Sequence, residues 1–233
     1  VTTLIMLTLA IALQAMFLHK AMSQTPSYSV RAVVPLSPRQ LQEGDNVTIW
    51  VNVTAGDANS TYVVNLNVTN PANSITNASV SVTTNATGYG NMSVIYPTNF
   101  TVNAHTNYTG TYQISASFNE TLGTATGNFF IGLTDATQYN RSQLVKIRAT
   151  NYTKPNELAG VNITRGGMII FYQAVFAKKG VIDMNYTIPA SATPGVYRVT
   201  VTNTTSNGTV KTPPDIQDFT VLGSICQIQT RNL

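Results

Sequence analysis

The chain is 233 residues long, carries a formal net charge of +4, and has only 9% charged side chains, where soluble proteins average about a quarter. Its two histidines, His19 and His105, and its one cysteine, Cys226, exclude a histidine-based metal site, a histidine-dependent triad and an intrachain disulfide. No glycine-rich phosphate loop is present. The carboxylate pairs, Glu43 with Asp45 and Asp215 with Asp218, read as solvated turns ahead of calcium ligands. The expectation is therefore a protein without enzymatic activity and without a cofactor, in which Cys226 is an unpaired thiol ahead of an intersubunit disulfide.

Residues 1–18 are apolar on every side of a helical projection, interrupted only by Thr2, Thr3, Thr8 and Gln14, with no Gly or Pro. As a helix this stretch rises about 27 Å, just enough for a bilayer core, and the predicted element spans 1–23. His19 and Lys20 follow it, so the positive-inside tendency alone would send the rest of the chain into the cytoplasm. A basic leader, removed to expose Val1 as the mature N-terminus, reconciles that polarity with an external chain. The alternative is a secretory signal cut near Ala21-Met22-Ser23, leaving a chain that begins near Gln24.

From Tyr28 onward the apolar pattern has period two. Strands are predicted at 28–34, 46–54, 61–69, 77–84, 89–96, 111–118 and 125–132, then at 143–151, 160–165, 168–176, 181–188, 195–203 and 216–222. They are rich in Val, Ile, Thr and Tyr and are separated by turn clusters such as Glu43-Gly44-Asp45 and Pro194-Gly195. The fold class is accordingly mainly β: two immunoglobulin-like β-sandwiches, at 24–133 and 134–223, with a tail at 224–233 and a junction near Phe130 to Thr137.

Sixteen of the 23 asparagines begin an Asn-X-Ser/Thr triplet with X other than Pro: Asn46, Asn52, Asn59, Asn67, Asn77, Asn85, Asn91, Asn99, Asn107, Asn119, Asn140, Asn151, Asn162, Asn185, Asn203 and Asn207. Composition alone would supply about five, so the enrichment is roughly threefold, and the reading is a chain coated with covalent N-glycans. In a strand, Asn and Ser/Thr two residues apart share a face. Val64, Leu66 and Val68 therefore point inward while Asn65, Asn67 and Thr69 point out, and the same division separates Met184, Tyr186 and Ile188 from Asn185 and Thr187. Trp50 falls on the outward phase of its strand, where it is either covered by a neighbouring loop or meets another subunit or a sugar ring.

Charge divides the chain in two. Between Arg39 and Arg141 there is no Lys or Arg, and Glu43, Asp45, Asp57, Glu120 and Asp135 are acidic; beyond that point basic residues dominate. Two domains of opposite sign follow, with acidic first domains near basic second domains of neighbouring subunits. The scattered cations share their surface with sequons, which excludes a nucleic-acid interface. So few carboxylates also predict a stability that varies weakly through the acid range.

An uninterrupted apolar helix at the start of the chain, followed by glycosylated β domains without disulfides, resembles archaeal type IV pilins and archaellins. The resemblance rests on residues 1–22 and on the general character of the rest, and Ile5 stands where bacterial pilins have glutamate. It implies a helix that leaves the membrane and bundles with its copies into a filament core, with Leu4, Ile5, Leu7, Leu9, Ile11, Leu13, Met16 and Phe17 between subunits. The implied function is a structural subunit of an extracellular archaeal filament with roles in adhesion. Its partners would be identical copies and, before assembly, the membrane. The alternatives are a membrane-anchored S-layer or surface accessory protein, and a secreted thread whose segment after Ser23, or tail Ser224 to Thr230, adds a strand to the next subunit.

Overall fold

The computed structural model of the chain describes residues 27–33, 39–118, 124–153, 157–204 and 211–223. The expected helix at 1–23 with its assembly residues Leu4 to Phe17, the sequons at Asn119 and Asn207, Cys226 and the tail 224–233 lie outside the described residues. Among the described residues the chain is all β, and there is no helix long and apolar enough to cross a membrane.

The strands are β1 (Ser27–Val33), β2 (Val47–Thr54), β3 (Thr61–Thr69), β4 (Ile75–Thr83), β5 (Gly90–Tyr96), β6 (Gly110–Phe118), β7 (Thr124–Ile131), β8 (Gln138–Tyr139), β9 (Leu144–Thr150), β10 (Leu158–Arg165), β11 (Met168–Phe176), β12 (Val181–Thr187), β13 (Gly195–Asn203) and β14 (Asp215–Val221). Thirteen begin and end within about two residues of the period-two segments, because alternation of apolar and polar side chains is what a sheet with one buried face requires. The fourteenth, β8, is only two residues long and has no alternation to reveal it.

The sheets stack in two sandwich-like pairs. In the first half a sheet ordered β1-β2-β5 faces one ordered β4-β3-β6-β7, and in the second half β12-β9 faces β11-β10-β13-β14-β8. Every pairing within these sheets is antiparallel except β14 with β8. Each pair encloses its own core. Val47, Ile49, Val51 and Val53 of β2 meet Val64, Leu66 and Val68 of β3 in the first, and Ile147, Val161, Ile163 and Val199 fill the second, all almost wholly buried. The first cluster ends at Ile131 and the second begins at Leu133, so Gly132 alone separates them.

That glycine is constrained by close approach. A Cβ there would sit 2.1 Å from Gln40 Nε2 and 2.6 Å from Gln217 Oε1. The two halves also share a corner. Tyr112 donates its hydroxyl to Tyr108 O at 3.2 Å and Tyr197 donates to Thr193 O at 2.7 Å, each reaching back four residues. Two residues before each tyrosine stands a glycine, Gly110 with φ +138° and Gly195 with φ +136°, a backbone region where a Cβ is strained. The rings then enter the cores: Tyr112 stacks on Phe129 at 4.9 Å, and Tyr197 on Phe219 at 5.6 Å.

Candidate functional site: the sequon surface and the junction

Fourteen of the sixteen sequons fall within the described residues, and none of their asparagines is buried. Asn46, Asn59, Asn67, Asn77, Asn85, Asn91, Asn99, Asn140, Asn151 and Asn185 are exposed, while Asn52, Asn107, Asn162 and Asn203 are half-buried. The buried asparagine among the described residues is Asn70, which precedes Pro71 and begins no sequon. Its Oδ1 caps a turn by accepting from Ala72 N at 3.0 Å and Ser74 N at 2.9 Å.

An N-glycan is attached through the amide nitrogen, Nδ2. Asn85 and Asn99 use their carbonyl oxygens locally, accepting from Thr87 N at 2.9 Å and Ile95 N at 2.7 Å, which leaves that nitrogen outside those bonds. Asn203 is the contrasting case: its Nδ2 donates to the Glu157 carboxylate, so in the folded chain this sequon is engaged.

The sequons are unevenly spaced. The widest interval between consecutive ones runs from Asn162 to Asn185 and contains all of β11. This edge strand breaks the alternation seen elsewhere: Met168, Ile169, Ile170, Tyr172 and Phe176 are all exposed. Beside its end a cleft of about 780 Å³ is lined by Val175, Phe176, Lys178 and Val181 among others. In the first half Trp50 faces outward as expected, 37% exposed, with Arg31 and Ser93 as its cross-strand neighbours.

The junction overturns the reading of the carboxylate pairs as solvated turns. Glu43 and Asp215 are each 0% exposed, and the Lys211 ammonium lies 2.7 Å from Glu43 Oε2 and 2.7 Å from Asp215 Oδ1. Glu43 also accepts from Thr150 N at 2.7 Å and from the Thr109 hydroxyl at 3.0 Å, and Asp215 accepts from the Tyr152 hydroxyl at 2.9 Å. Burial, and after it the neighbouring charge of Asp215, pushes the Glu43 carboxyl up to about 8 despite Lys211 beside it. Burial likewise holds the Tyr152 phenol above its ordinary value, with Asp215 adding to the effect, so it remains a donor.

The other members of the supposed pairs go elsewhere. Asp45 takes Arg148 of β9 at 3.1 Å and Arg39 at 3.2 Å. Asp218 lies on the outer face of β14 in a two-pronged pair with Arg198, at 2.7 and 3.0 Å, and that guanidinium holds its carboxyl below the usual range. The opposite charges of the two halves therefore meet within one chain at Asp45–Arg148 and Glu43–Lys211, where the sequence suggested contacts between neighbours.

One signal for the buried cluster was present. Asp215 and Gln217 share the inward phase of β14 with Phe219 and Val221. Gln217 uses that position to bind Leu133 N and to donate to Gln40 Oε1 at 3.1 Å and Thr134 Oγ1 at 2.8 Å. Nothing local marks Glu43 or Lys211, because their burial is created by the docking of the two halves. The arrangement holds a buried amine between two carboxyl groups, at the seam where the sandwiches meet.

No protein family profile and no curated protein matches the chain. Among solved structures it is similar to red sea bream transglutaminase (10% identity, TM-score 0.40, 86% of this chain and 32% of that one). It is also similar to trypsin-activated alpha-2-macroglobulin from Escherichia coli (13% identity, TM-score 0.30, 84% and 15%). A third is a tetra-tandem repeat from the extending region of a large adhesion protein (15% identity, TM-score 0.28, 86% and 50%). The chain thus spans at most half the length of these structures.

Proposed function

We propose that the chain is a structural, non-enzymatic subunit of an extracellular, N-glycosylated archaeal surface filament, built of two immunoglobulin-like sandwiches behind an apolar helix and serving in adhesion or surface attachment. The observation that carries this reading is that none of the fourteen described sequon asparagines is buried. A cytoplasmic protein has no use for a surface of acceptor sites, and glycans on the outward faces supply the solubility that a 9% charge content does not. The immunoglobulin-like assignment is supported by the strand order of the two sheet pairs and by the tyrosine at the third position of β6 and of β13, its hydroxyl bonded back along the chain.

Assembly through the helix follows from its composition. An all-round apolar helix is stable only in lipid or among copies of itself. A buried area on the order of 1,500 Å² would contribute tens of kcal/mol before association costs. Replacing Leu9 or Leu13 by Asp places an unpaired charge in that bundle, and the expected result is loss of filaments in negative-stain images with the β-sheet circular dichroism unchanged. Normal filaments from such a variant would remove the helix from the core.

A second reading is favoured by β11. Its exposed apolar edge in the widest sequon-free interval suits addition of an extended segment from another copy, either the residues after Ser23 or the tail Ser224 to Thr230. N-terminal sequencing of native filaments separates the two: subunits reading Val-Thr-Thr-Leu fit the helix core, and subunits beginning near Gln24 fit strand addition.

A further inference from the structure

The side chain of Lys211 is 10% exposed, and both carboxyl groups it meets are 0% exposed. Its Nζ lies 2.7 Å from Glu43 Oε2 and 2.9 Å from Oε1. Near-equal distances to both oxygens put the carboxyl carbon between them about 3 Å from the nitrogen, the separation of a near-attack pair. Thr150 N donates to Oε2 at 2.7 Å, aimed at the oxygen on which negative charge collects when that carbon is attacked, and the Thr109 hydroxyl meets Oε1, the oxygen that leaves, at 3.0 Å. Asp215 lies beside the Glu43 carboxyl, its Oδ1 2.7 Å from the same nitrogen and its Oδ2 held by the Tyr152 hydroxyl at 2.9 Å, within reach of the ammonium proton. The rings of Tyr108 and Tyr152 lie 5.6 and 6.0 Å from Nζ and help to exclude water.

As a purely ionic latch this cluster is poorly balanced, since three groups are desolvated for one attraction and an excess carboxyl. We propose that Lys211 and Glu43 condense to an isopeptide bond, formed by the folded chain itself, which ties the first sandwich covalently to the second. Burial and Asp215 keep Glu43 as a carboxylic acid well above the usual carboxylate range, and that is the form with a hydroxyl to lose.

Asp215 first takes a proton from the Lys211 ammonium. The freed lone pair forms the N–C bond to the Glu43 carboxyl carbon, and the C=O electrons move onto Oε2, which the Thr150 N–H holds, leaving Oε1 as the hydroxyl. The surplus proton on nitrogen passes to the Glu43 hydroxyl, the C–O bond breaks, and one water departs as the carbonyl re-forms in the amide. Asp215 keeps the first proton, so atoms and charge balance with no oxidant, cofactor or activated ester. One buried cation and one buried anion have disappeared, which favours the product in a site that excludes water. The proposal does not depend on how copies assemble.

The experiment is intact-mass and peptide analysis of the full chain, produced in a host that does not glycosylate it and confirmed to be folded by circular dichroism. The expected result is a mass lower than the sequence mass by one water, resistance of the Lys211 site to trypsin, and a branched peptide joining the Glu43 and Lys211 segments. The Lys211→Arg and Glu43→Ala variants should have full mass, and Asp215→Asn should retain full mass although Lys211 and Glu43 are present. A folded wild-type chain of full sequence mass overturns the proposal without reference to any variant. A branched peptide through Asp215 instead of Glu43 overturns the assignment of roles.

Discussion

Strand β4 of the first sandwich and strand β11 of the second occupy the same place, each the outer strand beside the first strand of its hairpin, β3 or β10. Beyond Ile75 at its start, β4 turns Asn77, Ser79, Ser81 and Thr83 to solvent, whereas β11 exposes Met168, Ile169, Ile170, Tyr172 and Phe176. The polar edge also carries a sequon, and the apolar one lies where sequons are most widely spaced. An unprotected sheet edge invites pairing, and proteins that work alone blunt it with charge, turns or sugar. The first sandwich is finished as a surface facing water and the second retains an edge fit for contact, although both share a Gly-X-Tyr corner and a core of alternating Val, Ile and Tyr.

The largest test of this comparison lies in the cores. Leu66→Ala in the first and Ile163→Ala in the second each remove a fully buried side chain and should cost about 2–5 kcal/mol. In chemical denaturation either substitution is expected to lower one shared midpoint, because the junction couples the halves. Two separate transitions in the wild-type chain would show that each sandwich unfolds alone.

The corner glycines give a finer contrast. Alanine at either position meets a disfavoured backbone, costing about 1–3 kcal/mol, but a Cβ at Gly110 also comes within 2.9 Å of Pro71 Cγ while at Gly195 the nearest atom is 3.9 Å away. Gly110→Ala should therefore lower the melting temperature more than Gly195→Ala. The reverse order would mean that the corner of the second sandwich is the tighter one.

The pH dependence probes the seam between them. Glu43 holds its proton more tightly in the folded chain than in the unfolded one, so its contribution is fully present below about 4.5 and is lost as the pH rises toward about 8. In Asp215→Asn, where Glu43 stays a free acid and burial still raises it, the melting temperature should be higher at pH 4.5 than at pH 8. A flat profile would mean that water reaches Glu43. That window lies above the acid range in which the low carboxylate count predicts a weak pH response.

The smallest effect on stability is expected at β11. Ile169→Thr combined with Phe176→Thr, at positions 64% and 62% exposed, should change the unfolding free energy by no more than about 0.5 kcal/mol per site. Self-association measured by sedimentation should nonetheless fall. Ser79→Thr on β4 should alter neither, and an unchanged sedimentation profile for the β11 variant would make the two edges equivalent.

Much of the architecture was legible because it depends on neighbours in sequence. Alternation along a strand places Val64, Leu66 and Val68 on one face and Asn67 on the other whatever the strand pairs with, so strand positions and the outward direction of the sequons could be read directly. The two-residue β8 was not legible, nor was the exposure of both faces of β11, because the sheet facing it holds only β12 and β9 and nothing in the strand's own apolar run records that. The site at the junction was half legible at best: Asp215 is in phase with Phe219 and Val221, yet its proximity to Asp218 suggested a solvated turn.

Local periodicity and composition thus determined the β class, the strands and the sequon-bearing faces, since each depends on residues a few positions apart. Tertiary structure alone decided that Glu43, Lys211 and Asp215 come together, because Glu43 lies 168 residues from Lys211 and only docking the sandwiches across Gly132 removes water from all three. An isolated acidic residue in a turn before a strand is ordinarily solvated. It becomes a buried acid facing an amine when a second domain closes over it, and no pattern in its own neighbourhood records that event.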